Sequence, residues 1–208
     1  AVDEINQSEG FDFTFTPHLR DPGGVVAGYH TACADLIREE RVDHIVGCYT
    51  SASRKQVIPI VERTERLLWH PARYEGFESS DNVIYVGAAP NQHVVPLVRH
   101  MLDHIATDVF CIGSNYIWTW EMNRVIREIV TSAGGRILAE RLLELGETAV
   151  DHIVKEVIDR RPPAVFNTLV GESSYAFMRA LHAAAAHAGL SIPMLSCSLC
   201  EPELKLIG

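Results

Sequence analysis

Short apolar strands alternate with amphipathic helices along most of this chain, and that alternation restricts the fold more than any other feature. Runs such as Val109-Phe-Cys-Ile112 are apolar at consecutive positions. A strand of that kind is covered on both faces, as in a parallel sheet with helices above and below. We expect strands at 43–48, 67–69, 83–86, 108–113, 136–143, 164–169 and 194–197, with an edge-like strand over Thr14–Leu19. The helices are expected at 26–40, 51–66, 93–105, 118–133, 147–160 and 173–188. Strands and helices in this order form parallel βαβ units. Turn chemistry supports the divisions: Asp21-Pro-Gly-Gly24 is a turn, Gly134-Gly135 a left-handed helix end, and Pro162-Pro163 a helix stop.

The pattern restarts after Pro90, which predicts two lobes, 1–90 and 91–208, with a hinge between them. Ala1 to Asn6 reads as the last turns of a helix, with no strand before it. An α/β domain normally opens with its first strand. We therefore expect an internal piece of a longer protein, lacking a central opening strand and incomplete at its C-terminal end. Sheet edges left unpaired in this way would invite a second copy of the chain, a homodimer, or the missing strand.

The net charge of −9, with no basic run longer than two residues, argues against a nucleic-acid surface or a membrane patch. No apolar stretch approaches the roughly 20 residues needed to span a bilayer. The five cysteines have no regular spacing, so a disulfide framework is not expected, and this usage favours a reducing compartment. Cys197-Ser-Leu-Cys200 lacks a second ligand pair for zinc.

Catalytic signatures are missing. There is no G-x-S-x-G elbow, no G-x-G-x-x-G and no P-loop. His100 and His104 share a helix face without the Glu of a metalloprotease helix, so no metal site and no cofactor is expected. An amidohydrolase-like enzyme using Cys48 or Cys111 as nucleophile would need a partnered base, and no such pairing is visible. The chain reads as a binding protein rather than an enzyme.

Candidate binding residues follow the strand ends, because open α/β sheets bind ligands beyond the carboxyl ends of their strands. Tyr49-Thr50-Ser51-Ala52-Ser53 follows one strand and opens a helix. Ser51 would either meet a ligand or, with Ser53, cap that helix. Tyr116 and Trp118 follow the first strand of the second lobe, as aromatic walls for a small ligand or as a surface loop closure. Gly171 follows a later strand, where it allows close backbone approach or starts a helix. Arg54-Lys55 reads as a surface pair, with an anion contact at the helix start as the alternative, and Tyr74, Phe77 and Tyr85 read as packing residues rather than ligand contacts.

Several segments carry a resemblance beyond these patterns. They are Asp21-Pro-Gly-Gly24, Gly47-Cys-Tyr-Thr-Ser51, Arg54-Lys55, Tyr74-Glu-Gly-Phe77, Ala89-Pro-Asn-Gln92, Ile112-Gly-Ser-Asn-Tyr116 and Leu169-Val-Gly171. With them the chain resembles the amide and urea receptors built on the type I periplasmic-binding-protein fold. These include cytoplasmic sensors that negatively regulate aliphatic amidase operons. The resemblance implies a two-lobed α/β fold with flavodoxin-like parallel sheets flanked by helices. It also implies closure of the lobes on an acetamide-like ligand touched by Tyr49, Ser51 and Tyr116.

Three positions depart from the sensors. His70-Pro71-Ala72 stands where they carry Tyr-Pro-Thr, Trp118 replaces a tyrosine, and Ser198-Leu199 replaces a threonine-rich strand end. His70 and Ala72 therefore join the candidate contacts as selectivity positions. The implied partner is an antitermination regulator if the protein is a cytoplasmic sensor. It is a membrane permease if the protein is a periplasmic transport receptor, the alternative that Thr50-Ser-Ala-Ser-Arg-Lys55 resembles, whereas the cysteine usage leans toward the cytoplasmic sensor, which is the expected role.

Overall fold

The computed structural model describes residues 1–208, which divide into two compact units, 1–72 with 78–86, and 73–77 with 87–208. The first contains α1 (Val2–Asn6), α2 (Val26–Glu39), β1 (His44–Val46), α3 (Ser51–Arg63), β2 (Leu67–His70) and β3 (Val83–Tyr85). Its three strands lie in chain order and run parallel, with Val46 opposite Trp69 and His70 opposite Tyr85. Helix α3 presents Val57, Ile60 and Val61 to a core that also takes Cys33 of α2, Ile45, Leu68 and Val83. Those helix positions recur at the three- and four-residue spacing of a single apolar stripe.

The strand expected over Thr14–Leu19 does not form. A strand needs neighbouring backbone to bond to, and this extended segment has almost none. The Asn6 side chain takes that place at one residue: its Oδ1 accepts from Phe15 N at 2.7 Å and its Nδ2 donates to Phe15 O at 2.8 Å. Phe13 meets Phe11 at a tilt and Phe15 edge to face, and all three stay about half exposed. β1 is an edge strand, and Val46 on it is exposed.

The second unit contains α4 (Val94–His104), β4 (Val109–Ser114), α5 (Ile117–Ser132), β5 (Ile137–Leu143), α6 (Asp151–Arg160), β6 (Val165–Thr168), α7 (Glu172–His187), β7 (Met194–Ser196) and α8 (Glu201–Ile207). Its sheet has the order β5-β4-β6-β7, all parallel. Strand β4 is buried at all six positions. Val109 and Cys111 pack with Val98, Met122 and Ile126 of α4 and α5, whereas Phe110 and Ile112 pack with Val154, Val157 and Phe177 of α6 and α7. Alternate side chains of a strand point to opposite faces, so one strand nucleates both layers of the core. This is the expected α/β architecture of parallel sheets between helices. Helix α6 starts at Asp151, later than expected, because residues 144–147 close a turn instead, with Glu147 N donating to Glu144 O.

Candidate functional site

At the carboxyl edge of the first sheet, Gly47-Cys48 follows β1 and the chain turns into α3. Cys48 has φ +67 although it is not glycine. Such strain persists only where the surroundings hold it, and it gathers at functional turns. Thr50 is the N-cap: its hydroxyl accepts from Ser53 N, and Ser53 Oγ accepts from Thr50 N, both at 3.2 Å. Capping is thus the work of Thr50 and Ser53. Ser51 lies within the first turn and is buried, while Tyr49 is 78% exposed.

His70 ends β2 fully buried, and Ala72 follows half-buried. The β1–β2 register pairs Val46 with Trp69, and His70 Nε2 lies 3.2 Å from a terminal guanidinium nitrogen of Arg54 in the first turns of α3. Arg54 is no surface residue. It is 0% exposed, and its Nε donates to Glu78 Oε1 at 2.6 Å. Lys55 Nζ donates to Glu78 Oε2 at 2.6 Å, and Tyr85 Oη donates to Oε1 at 2.9 Å. Burial pushes the Glu78 carboxyl up, but the hydrogen bonds from Lys55 and Arg54 outweigh it and hold the group below its ordinary range. The surface-pair expectation failed because Glu78 lies 24 residues from Arg54 in the chain.

The carboxyl edge of the second sheet gathers Tyr116, Trp118 and Gly171. Tyr116 is the N-cap of α5 and stacks on Trp118, with centroids 6.3 Å apart and planes 26° apart. Trp118 is only 5% exposed and belongs to the core. The expected aromatic wall is therefore a Tyr116 ring backed by a buried indole. Gly171 is the N-cap of α7 with φ +58, and a side chain there would meet nothing within 4 Å. Glycine is required by the backbone turn rather than by crowding.

Further polar residues surround this edge, of which the sequence marks Ser198 as a departure and Ser114 as part of a resembling segment, but not Thr168 or Ser173. Ser114 Oγ accepts from Val170 N at 3.2 Å, and Ser198 Oγ donates to Leu169 O at 3.1 Å. Thr168 Oγ1 donates to Asn123 Oδ1 at 2.9 Å. Ser173 Oγ, in the first turn of α7, is buried without a hydrogen-bond partner. Serine and threonine at the ends of otherwise apolar strands are the signal that marks them. Arg73 reaches Cys197 O at 2.9 Å and Ser198 O at 3.0 Å, which ties residues 73–77 to this unit. Phe77 is exposed rather than packed, with the Arg124 guanidinium 4.2 Å over its ring.

Thiol chemistry is poorly served. Burial pushes the Cys48 and Cys111 thiols up to about 12. At neutral pH both carry their proton and are weak nucleophiles. All five cysteines are unpaired, and no group of three His, Cys, Asp or Glu residues is placed to hold a metal ion. No helix is long and apolar enough to cross a membrane.

An α/β protein with polar and aromatic residues at the carboxyl edges of its parallel sheets has the form of a small-molecule binding protein. The chain belongs to the periplasmic binding protein domain family, whose model matches residues 1–208. Solved structures agree in fold. A solute-binding protein of an ABC transporter from Rhodopseudomonas palustris HaA2, in complex with p-hydroxybenzoic acid, superposes with a TM-score of 0.80 at 19% identity, covering 90% of this chain and 52% of that one. The branched-chain amino acid transporter substrate-binding protein of Streptococcus pneumoniae, in complex with isoleucine, gives 0.77 at 18% identity over 94% and 56%. A solute-binding protein from Rhodopseudomonas palustris BisB5, in complex with 3,4-dihydroxybenzoic acid, gives 0.75 at 16% over 85% and 50%. The chain thus spans about half the length of these relatives.

Proposed function

We propose that this protein is the substrate-binding component of an ABC transporter for urea or short-chain amides. The observation that carries the reading is the family match over 1–208, joined to neighbours that are transporter solute-binding proteins. The ligand class rests on the amide-receptor resemblance and on the residues at the two sheet edges. Ser51 and Tyr116 supply hydroxyls, His70 an imidazole, and Tyr49 and Trp118 aromatic surface. The partner would be a membrane permease.

A second reading is a cytoplasmic amide sensor in the manner of AmiC, acting on an antitermination partner. Five unpaired cysteines favour it, because free thiols persist in reducing compartments.

Calorimetric titration with acetamide, propionamide, formamide, urea and short amino acids tests the ligand class, with ammonia release assayed in parallel. Saturable binding without turnover is the expected result. Turnover, or no binding across the panel, contradicts the proposal. Association with a permease rather than an antitermination protein separates the two roles.

A further inference from the structure

The chain enters the second unit twice, at Arg73 and again at Gly87. The two entry segments hold each other. Tyr74 N donates to Ala88 O at 3.3 Å, and a Cβ on Gly76 would come 3.3 Å from Pro90 Cγ. His93 follows them as the N-cap of α4, and its Nδ1 accepts from Val94 N at 2.7 Å. A backbone N–H can only donate, so Nδ1 is bare and the proton of the neutral ring sits on Nε2. That Nε2 is buried and has no hydrogen-bond partner.

A second proton can go only to Nδ1. There it would meet the Val94 N–H donor to donor, and the ring would have to turn over or leave the cap. A charged ring would also share a buried place with the Arg73 cation. Arg73 is anchored there by its bonds to Cys197 O and Ser198 O. Tyr74 and the buried Glu75 are the other titratable groups of the entry segments. Residues 90–92 carry no charge, and the first charge on α4 itself is Arg99, six residues further on. Burial lowers the His93 pKa most; the carbonyls of Tyr74 and Ala88 favour the charged ring and the Arg73 charge opposes it, and the balance lies below the ordinary histidine value near 6.5.

We propose that His93 is a pH-sensitive latch: as a neutral ring it caps α4 with the entry segments packed beside it, and on gaining a proton in acid it opens the first turn of α4 and loosens both segments. The latch is complete above about pH 6.5, where the ring is neutral whether latched or not. It weakens as pH falls below that value, because only the unlatched ring takes the proton, and it stops changing once pH has passed the lower, latched value. The opening is local, since Val94, Val98 and Met101 keep α4 in the core. No candidate ligand residue takes part, so the inference stands apart from the receptor reading.

The test follows the intact protein by NMR from about pH 7.5 to about pH 5, above the carboxylate range. Its histidines are labelled with 15N, and the His93 signals are assigned among the ten through the Val94 amide. Long-range 1H–15N correlation at neutral pH should show Nε2 protonated and Nδ1 bare, with Nδ1 gaining its proton at a midpoint below about 6.5. A protonated Nδ1 at neutral pH, or a midpoint at or above that value, overturns the proposal. Hydrogen exchange, corrected for its intrinsic pH dependence, reads the latch itself. Protection of the Val94 and Tyr74 amides should fall across this range by up to about thirtyfold, the ratio that linkage allows when the ring charges only in the open form. The amides of β4 should keep theirs. His93→Asn can cap a helix but cannot charge, so it should abolish the pH dependence. Constant protection in the wild type, the same loss in a folded His93→Asn, or a loss that includes β4 overturns the latch. If His93→Asn does not fold, the wild type decides: loss of protection at Val94 must share the midpoint of the His93 titration, and a different midpoint overturns the proposal.

Discussion

Thr50, Ser51 and Ser53 stand within four residues of one another and do different things. Thr50 and Ser53 satisfy each other's backbone amides in a capping box, which leaves Ser51 outside the cap. Thr50→Ala should therefore lower stability by about 1 kcal/mol, read by denaturant unfolding, with little direct effect on ligand binding. The polar run was visible in the sequence, but the division of labour within it was not, because it depends on which residue leaves the helical conformation first. Gly113 makes a similar point. A methyl there would overlap the Thr119 methyl and the Thr168 hydroxyl, so Gly113→Ala should cost on the order of 1–3 kcal/mol. An unfolding midpoint equal to that of the wild type would refute the close approach of α5 and β6 at this residue. Thiols give a further check. Cys200 is exposed, whereas the other four are buried, so a thiol reagent should label only Cys200 in the native protein. The hydrogen bond from its Sγ to Glu203 raises its pKa, which should slow even that reaction at neutral pH.

Among the elements, α3 and β3 are joined by a carboxylate that bonds to two cations. The Glu78 carboxyl is held below its ordinary range in the folded chain. A lowered carboxylate contributes stability at pH values above its unfolded value, near 4.3, and that contribution fades as pH falls through the lower, folded value. The first unit should therefore lose stability in acid below about pH 4.3, and Glu78→Gln should flatten the dependence there. A wild-type pH profile identical to that of Glu78→Gln would contradict this link. Segment 11–19 shows where element reading failed. Its alternating Phe11, Phe13 and Phe15 spell a strand, yet pairing is a tertiary property, and here the Asn6 side chain bonds the backbone at Phe15 alone. Amides 11–14 and 16–19 should exchange with solvent far faster than those of β4 and β6. The α/β elements themselves were legible, with boundaries shifted by a few residues, because apolar periodicity is local. Arg54 was misread for the opposite reason: its partner lies on a distant loop.

For the molecule as a whole, each unit carries its candidate residues at the carboxyl edge of its own parallel sheet. That placement follows from topology, since every βα turn of a parallel sheet opens on the same edge. The fold class was therefore readable from the order of elements. The buried hydroxyls of Ser114, Thr168 and Ser198 carry no periodic signal, so only their place at the ends of apolar strands marks them, and their partners could not be read from it. The central proposal is that a small amide is bound through hydroxyls at the carboxyl edge of a parallel sheet, with Ser51 and Tyr116 as the candidates. Calorimetric titration of Ser51→Ala and Tyr116→Phe against the wild-type protein tests it most directly. Each variant should fold normally and lose roughly 1–3 kcal/mol of binding free energy, since each leaves a buried polar partner unsatisfied. Unchanged affinity in both variants, with the fold intact, would contradict the account.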